Sequence, residues 1–184
     1  MSSSLFPKPY ADFVARLRVP AGFALVAAFA WFSRPDARAL AAGLPVSAVG
    51  LALRAWAAGH LAKNERLATS GPYAFTRNPL YLGTSLVAAG LAIGSRSPGL
   101  AVLFAAVFLL VYLPVIGLEE QHLRKLFPEY EGYARRVPAL RPTARPLESA
   151  HPFRFSLYLR NQEYQAGLGF LIGALFLVWK TWCG

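Results

Sequence analysis

Residues 69–83, TSGPYAFTRNPLYLG, concentrate polar and aromatic side chains between two apolar runs. Tyr73, Arg77 and Tyr81 stand close together in this polar segment. Aromatic ring faces and a guanidinium fork are groups that can hold charged parts of a ligand. A connector this rich in such groups exceeds what a spacer between membrane helices needs, and it predicts a working site at a membrane surface.

Ordinary turn and cap preferences explain part of the same segment. Asn is favoured as a helix N-cap and Pro at the first helical position, so Asn78-Pro79 is typical of a helix start. Gly71-Pro72 is typical of a turn. Tyr residues also occur in interfacial belts of membrane proteins. These preferences leave the clustering of Tyr and Arg unexplained, so the segment alone is open to a structural or a functional interpretation.

Three charged residues at or inside apolar runs form a second candidate set. Glu119 and Glu120 stand where an apolar run leaves the membrane, and a carboxylate there is available to a cation or a proton. They are equally compatible with a solvated helix turn, or with a helical ion pair between Glu120 and Arg124. Arg54 lies within an apolar run, where a charge is costly and tends to face the bundle interior. It is either functional or paired with one of the two glutamates.

Composition places these residues in a membrane protein. Of the 184 residues, 55% are hydrophobic and 15% are charged, against about 45–50% and 25% in soluble domains. A bilayer span needs about 20 apolar residues, and five runs approach or reach this length, at residues 19–33, 40–61, 80–94, 100–118 and 164–182. We therefore expect an all-α, polytopic integral membrane bundle of about five transmembrane helices, the first and third of them short.

The chain is expected to form one membrane-embedded domain over residues 1–184. It divides into N-terminal helices, a core that carries the polar segment and a C-terminal transmembrane helix, at residues 1–68, 69–163 and 164–184. Most Lys and Arg residues lie in the N-terminus and in the second and fourth connectors, which such residues direct to the cytoplasm. The N-terminus, the polar segment and the fourth connector are thus predicted to face the cytoplasm, from a bacterial inner membrane.

Several classes of site are disfavoured. The net charge is +10, but the aromatic residues interleave with apolar residues rather than basic ones, which argues against a nucleic-acid platform. Cys183 is the only cysteine, so neither an internal disulfide nor a multi-cysteine metal site is expected. His60 and His122 have no metal-binding spacing. Four glycines at small-residue spacing are expected to support close helix packing, namely Gly90, Gly94, Gly169 and Gly173.

The polar segment, together with the later EEQHLRKLFPEYEGYARRVPALRP, resembles the isoprenylcysteine carboxyl methyltransferase family, which is related to membrane phospholipid methyltransferases. The shared pattern is Gly-Pro-Tyr, then Arg-His-Pro with a Tyr two residues later, then Glu-Glu, a Phe, spaced Tyr residues and Val-Pro. The resemblance covers roughly the C-terminal two-thirds, up to the last span. Asn78 stands where the family usually has His, and Asn cannot act as a base near neutral pH.

This resemblance implies a membrane-embedded, S-adenosylmethionine-dependent methyltransferase. Its acceptor is a lipophilic molecule from the bilayer, either an isoprenylcysteine-like carboxylate or a lipid. The cofactor is expected between the polar segment and the cytoplasmic C-terminal region, at Gly71, Tyr73, Arg77, Asn78, Tyr81, Leu82, Glu120, Tyr130 and Tyr133. The expected catalytic residues are Glu119, Glu120 and Arg54, with Arg54 placed to orient an anionic acceptor.

Two other functions stay open at this point. Sterol reductases carry a related C-terminal region, so a membrane reductase using NADPH is one alternative. A non-enzymatic membrane scaffold, in which the motifs are only turns and caps, is the other. The partners expected in the first reading are the lipid bilayer and a lipophilic acceptor, without nucleic acid or metal.

Overall fold

A computed structural model describes residues 7–147 and 151–183, which form helices joined by short connectors. Small parts of the predicted segments lie outside the described residues, namely residues 1–6, 148–150 and 184. The helices are α1 Lys8–Phe32, α2 Ala37–Ala58, α3 Pro79–Ser95, α4 Pro98–Leu126, α5 Tyr130–Arg136, α6 Phe155–Arg160 and α7 Tyr164–Cys183. The described ranges contain no strand, which confirms the predicted all-helical class.

Within the described ranges, three helices, α2, α4 and α7, are long and apolar enough to cross a membrane. Helix α1 adds a fourth span if its halves Pro9–Leu17 and Val19–Phe32, bent by 50°, are counted together. Pro20 explains this bend, because proline removes a helical hydrogen bond and its ring displaces the preceding turn. Helix α3 is the shorter apolar helix, with 17 residues. Each of the five predicted apolar runs therefore falls mainly on one helix of a polytopic membrane bundle. Three or four of these helices, rather than about five, are long and apolar enough to span, because α3 is too short.

Helices α2 and α3 pack closely because glycines face each other across their interface. A Cβ built at Gly43 would lie 2.3 Å from the carbonyl oxygen of Gly90, and one at Gly50 would lie 2.6 Å from that of Gly83. The Ser47 hydroxyl donates to the carbonyl oxygen of Val87 at 2.9 Å in the same interface. This approach brings the C-terminal half of α2 against the first turns of α3.

Helix α4 contains a widened π turn at Phe108–Tyr112, where the amide of Leu113 donates to the carbonyl of Phe108. Pro114 has no amide hydrogen to give to the carbonyl of Leu110, the normal partner four residues earlier. The Tyr10 hydroxyl of α1 donates to that carbonyl instead, at 2.8 Å. Such π turns often occur at functional sites, and this one ends at Tyr112.

Helix α7 is held at its C-terminal end against α1. The Lys180 ammonium donates to the carbonyl oxygen of Ala30 at 2.8 Å and approaches Ser33 Oγ at 3.5 Å. Leu177 is completely buried in a core cluster with Phe29 of α1. Most of α7 is otherwise exposed on the outside of the bundle.

Candidate functional site

The polar segment is fixed to the chain that follows α5 by backbone hydrogen bonds. The amides of Arg77 and Asn78 donate to the carbonyls of Pro138 and Ala139, at 2.9 and 3.1 Å. The amide of Thr143 donates to the carbonyl of Phe75 at 2.9 Å. The two motifs, distant in sequence, therefore lie side by side.

Glycine is required at the start of the polar segment. Gly71 has a φ of +57°, which L side chains rarely adopt, and a Cβ there would lie 2.5 Å from the His60 ring. The next residues form a tight 3-10 turn, Gly71–Ala74, in which Tyr73 is buried. The turn predicted from Gly71-Pro72 is therefore present, and it packs tightly against His60.

Arg77 joins the two motifs through its side chain. Its Nε donates to Glu120 Oε1 at 3.0 Å and its Nη2 to Glu120 Oε2 at 3.2 Å, a bidentate pair. Its Nη1 donates to the carbonyls of Ala134 and Val137 at 2.8 and 2.9 Å. Every nitrogen of the guanidinium therefore binds protein, and Glu120 pairs with Arg77 rather than with Arg124.

Asn78 supports the same carboxylate. Its amide nitrogen lies 3.4 Å from Glu120 Oε1 and donates to the carbonyl of Ala139 at 3.1 Å. It directly precedes α3 at the N-cap position, with Pro79 as the first helical residue, but its side chain makes no capping hydrogen bond. Leu82 lies in the first turn of α3, and its amide donates to the carbonyl of Asn78.

Glu119 has a different environment from its neighbour. Its Oε1 accepts a hydrogen bond of 2.9 Å from the Tyr81 hydroxyl, and its side chain is exposed. The Tyr81 ring meets the Tyr112 ring edge-on, with centroids 6.0 Å apart. Tyr112, brought there by the π turn, was not predicted from the sequence; its position in a purely apolar run carries no signal.

Tyr130 and Tyr133 lie in the cluster beneath the Arg77–Glu120 pair. The Tyr133 hydroxyl donates to the carbonyl of Tyr73 at 2.8 Å. The Tyr130 side chain is 1% exposed, and its hydroxyl has no hydrogen-bond partner among the described residues. Burial raises the pKa of Tyr130, and the nearby carboxylate of Glu120 raises it further. Both effects keep the Tyr130 hydroxyl protonated.

Arg54 pairs with Glu163, not with either member of the Glu-Glu pair. Its Nε lies 2.6 Å from Glu163 Oε1 and its Nη2 lies 3.0 Å from Oε2. Its Nη1 donates to Thr84 Oγ1 and approaches the carbonyl of Leu80 at 3.4 Å. Glu163 was not predicted, although an acidic residue immediately before the last apolar run is a usable signal.

An apolar groove of about 810 Å³ lies between α3 and α4. Small side chains form much of its walls, mainly those of Ala88, Ala89, Ala92, Ala101 and Ala105. It runs from Arg96 and Pro98 at one end to Thr84 and Tyr112 at the other, about 21 Å at the helical rise of 1.5 Å per residue. The groove therefore ends beside the Tyr81–Glu119 hydrogen bond.

His60, buried beneath Gly71, makes the stability of this region dependent on pH. Its Nδ1 lies 2.9 Å from Ser70 Oγ, and burial, then the positive charges of Arg66 and His151, lower the pKa of His60 below its ordinary value of 6.5. The unfolded chain therefore binds this proton more readily, so the stability contribution is present above about pH 6.5 and is lost as pH falls through the folded pKa.

We expect the melting temperature in detergent to fall between pH 7.5 and pH 5, and a His60→Gln variant to show a smaller fall. His122→Gln, at an exposed position, is the control and should behave as the wild type. An identical pH dependence in His60→Gln and the wild type would contradict this assignment.

Known proteins resemble the chain across this site. The family model described as phospholipid methyltransferase matches residues 39–130. The chain is 39% identical over 102 residues to the cobalt-zinc-cadmium resistance protein CzcN of Cupriavidus metallidurans, over 54% of this chain and 46% of that protein. It is 31% identical over 175 residues to the nickel-cobalt-cadmium resistance protein NccN of Alcaligenes xylosoxydans xylosoxydans, over 89% of this chain and 77% of that protein. No solved structure shows a significant match.

Proposed function

Because this chain belongs to the phospholipid methyltransferase family, we propose that it is an integral membrane enzyme transferring a methyl group from S-adenosylmethionine to a lipophilic acceptor. The observation that carries the proposal is the apolar groove, which ends at Tyr112 beside Tyr81 and Glu119. A lipid tail in the groove would present its polar end to the joined motifs.

The residues present fit such a cofactor. When bound, S-adenosylmethionine would supply a methyl group carried on a sulfonium cation. An acceptor lone pair would take this methyl group, and the rest of the donor would leave as a neutral thioether. The ring faces of Tyr81 and Tyr112 attract cations, and the Glu119 carboxylate adds opposite charge. The buried, unpartnered Tyr130 hydroxyl supplies a donor for a polar cofactor atom. The other cofactor-side residues we propose are Gly71, Tyr73, Asn78, Leu82 and Tyr133.

The geometry supports different roles for the two adjacent glutamates. Glu120 is held by Arg77 and Asn78, so we assign Glu120 and Arg77 to positioning the two motifs around the cofactor. Glu119 lies on the ligand side with Tyr81. Glu119 would accept a proton from an amine or thiol acceptor, whereas a carboxylate acceptor needs no base.

The groove and the membrane support a lipophilic acceptor. A groove walled by alanine and aromatic side chains within the spanning helices suits a hydrocarbon chain. Both an isoprenylcysteine-like carboxylate and a phospholipid meet this requirement. Exclusion of water along the groove would favour an in-line displacement at its end.

The cellular setting is also a proposal. The excess of Lys and Arg in the N-terminus and in the second and fourth connectors supports a cytoplasmic site in a bacterial inner membrane. The names of the two relatives concern metal resistance. In residues 7–147 and 151–183, no cluster of three or more His, Cys, Asp or Glu side chains is arranged to hold a metal ion.

Binding of labelled S-adenosylmethionine to purified protein in nanodiscs tests the proposal. We expect saturable binding, weakened about tenfold in Tyr81→Phe, because loss of one charge-assisted hydrogen bond costs roughly 1.5 kcal/mol. Glu119→Gln should weaken it similarly. Tyr158→Phe is the matched control, since Tyr158 stacks on Phe155 of α6. Absence of binding to folded protein, or binding of NADPH in its place, would reject the methyltransferase assignment.

A further inference from the structure

Glu163 enters the site from a part of the chain outside the family match. The match ends at residue 130, yet Glu163, just before α7, reaches Arg54 of α2 with both carboxylate oxygens. Bidentate pairing of this kind is the geometry in which arginine binds carboxylate and phosphate ligands. The C-terminal segment therefore supplies an anion to the core, in addition to a membrane span.

Arg54 is linked to the groove by a hydrogen bond to a residue that lines it. Its Nη1 donates to Thr84 Oγ1, and the Thr84 side chain lines the groove next to Ser85. The Arg54 side chain is 22% exposed, whereas that of Glu163 is 8% exposed. Arg54 is therefore the more exposed partner of this ion pair. Like Arg77, Arg54 uses all three guanidinium nitrogens inside the protein, so a ligand anion would have to take the place of the Glu163 carboxylate.

The turn that presents Glu163 is strained and separately anchored. Gln162 has a φ of 54°, in the left-handed region that costs energy for a residue with a side chain. Asn161 ties the turn to the end of α2, since its Nδ2 donates to the carbonyls of Ala58 and Leu61, each at 2.9 Å. Release of the Glu163 side chain would therefore leave the anchor at Asn161 in place.

We propose that Arg54 is the head-group site for a single-chain anionic amphiphile whose tail lies in the groove, and that the Glu163 carboxylate fills this site until the amphiphile displaces it. The proposal rests on the acceptor groove of the proposed function and narrows the acceptor to a carboxylate or a phosphate. Exchange of one anion for another keeps Arg54 paired, and so avoids the large cost of an unpaired buried charge.

The test uses full-length protein in a non-ionic detergent without S-adenosylmethionine, with dodecyl phosphate, dodecanoate and dodecanol as probes of equal tail length. Binding of each probe is followed by isothermal titration calorimetry. The wild type should bind at least one of the two anions about tenfold more tightly than dodecanol, and comparison of the two anions separates phosphate from carboxylate head groups.

Two variants test displacement. Glu163→Gln should bind the preferred anion roughly tenfold more tightly than the wild type, with unchanged dodecanol affinity, because the competing carboxylate is gone. The double variant Arg54→Gln/Glu163→Gln, which leaves no unpaired charge, should lose the preference for anions. Equal affinities of the wild type for all three probes would overturn the proposal even if Glu163→Gln failed to fold. Since no cofactor is present, a failure of the methyltransferase proposal would be detected separately by the labelled-cofactor assay.

Discussion

An Arg77→Ala variant is expected to lose about 3 kcal/mol of its free energy of unfolding and to lose binding of S-adenosylmethionine. Removal of one partner from a largely buried ion pair leaves the other charge unpaired, which costs about 3–5 kcal/mol. The side chains of Arg77 and Glu120 are 14% and 16% exposed, so the lower end of that range applies. The carbonyls of Ala134 and Val137 would also lose their donor. Chemical denaturation in detergent measures the first effect and labelled-cofactor binding the second.

Arg160→Ala provides the matched control. Arg160 pairs with Glu65, and these side chains are 58% and 53% exposed, so the expected loss is much smaller than that of Arg77→Ala, because solvent screens an exposed pair. The double variant Arg77→Ala/Glu120→Ala should be destabilised by less than the sum of its single variants, because it leaves no unpaired charge. Similar losses in Arg77→Ala and Arg160→Ala would show that the Arg77 pair does not hold the two motifs together.

A Gly43→Ala variant is expected to be destabilised by about 2–3 kcal/mol. The added Cβ would lie 2.3 Å from the Gly90 carbonyl oxygen and 2.7 Å from the Gly94 amide nitrogen, both backbone atoms that cannot rotate away. Helices α2 and α3 would have to separate, and overpacking of this kind costs about 1–3 kcal/mol. The separation would also move Arg54 away from Thr84. Thermal unfolding in detergent, followed by circular dichroism, measures the loss.

Gly173→Ala is the corresponding control on α7. A Cβ at Gly173 meets no atom within 4 Å, so a change within about 0.5 kcal/mol is expected. Equal destabilisation by Gly173→Ala and Gly43→Ala would contradict the open space found beside Gly173.

Much of the fold was predictable because backbone groups must form hydrogen bonds within the protein when they lie in lipid. An unsatisfied peptide group is costly in hydrocarbon, so an apolar run of spanning length has to form a helix. Asymmetry of Lys and Arg then predicted one face for the polar segment and the fourth connector. The order of the motifs in these two segments was sufficient to identify the family resemblance, which the family match confirms.

Pairings between distant residues were not predictable. Glu119 and Glu120 are neighbours in sequence, but successive helical residues point about 100° apart. One therefore meets Tyr81 and the other Arg77. Likewise, Arg54 is 109 positions from Glu163, and no local pattern links them.

The glycines show how much of the helix packing could be predicted from the sequence. The sequence by itself determined that Gly90 and Gly94, like Gly169 and Gly173, present small faces along apolar helices, because the spacing of four places both members of a pair on one side. Only the tertiary structure decided that Gly90 packs against Gly43. The expectation of close packing was wrong for Gly169 and Gly173, where an added Cβ would meet no atom within 4 Å among the described residues. Spacing specifies the face of a helix, whereas the element that covers that face depends on how the whole bundle closes.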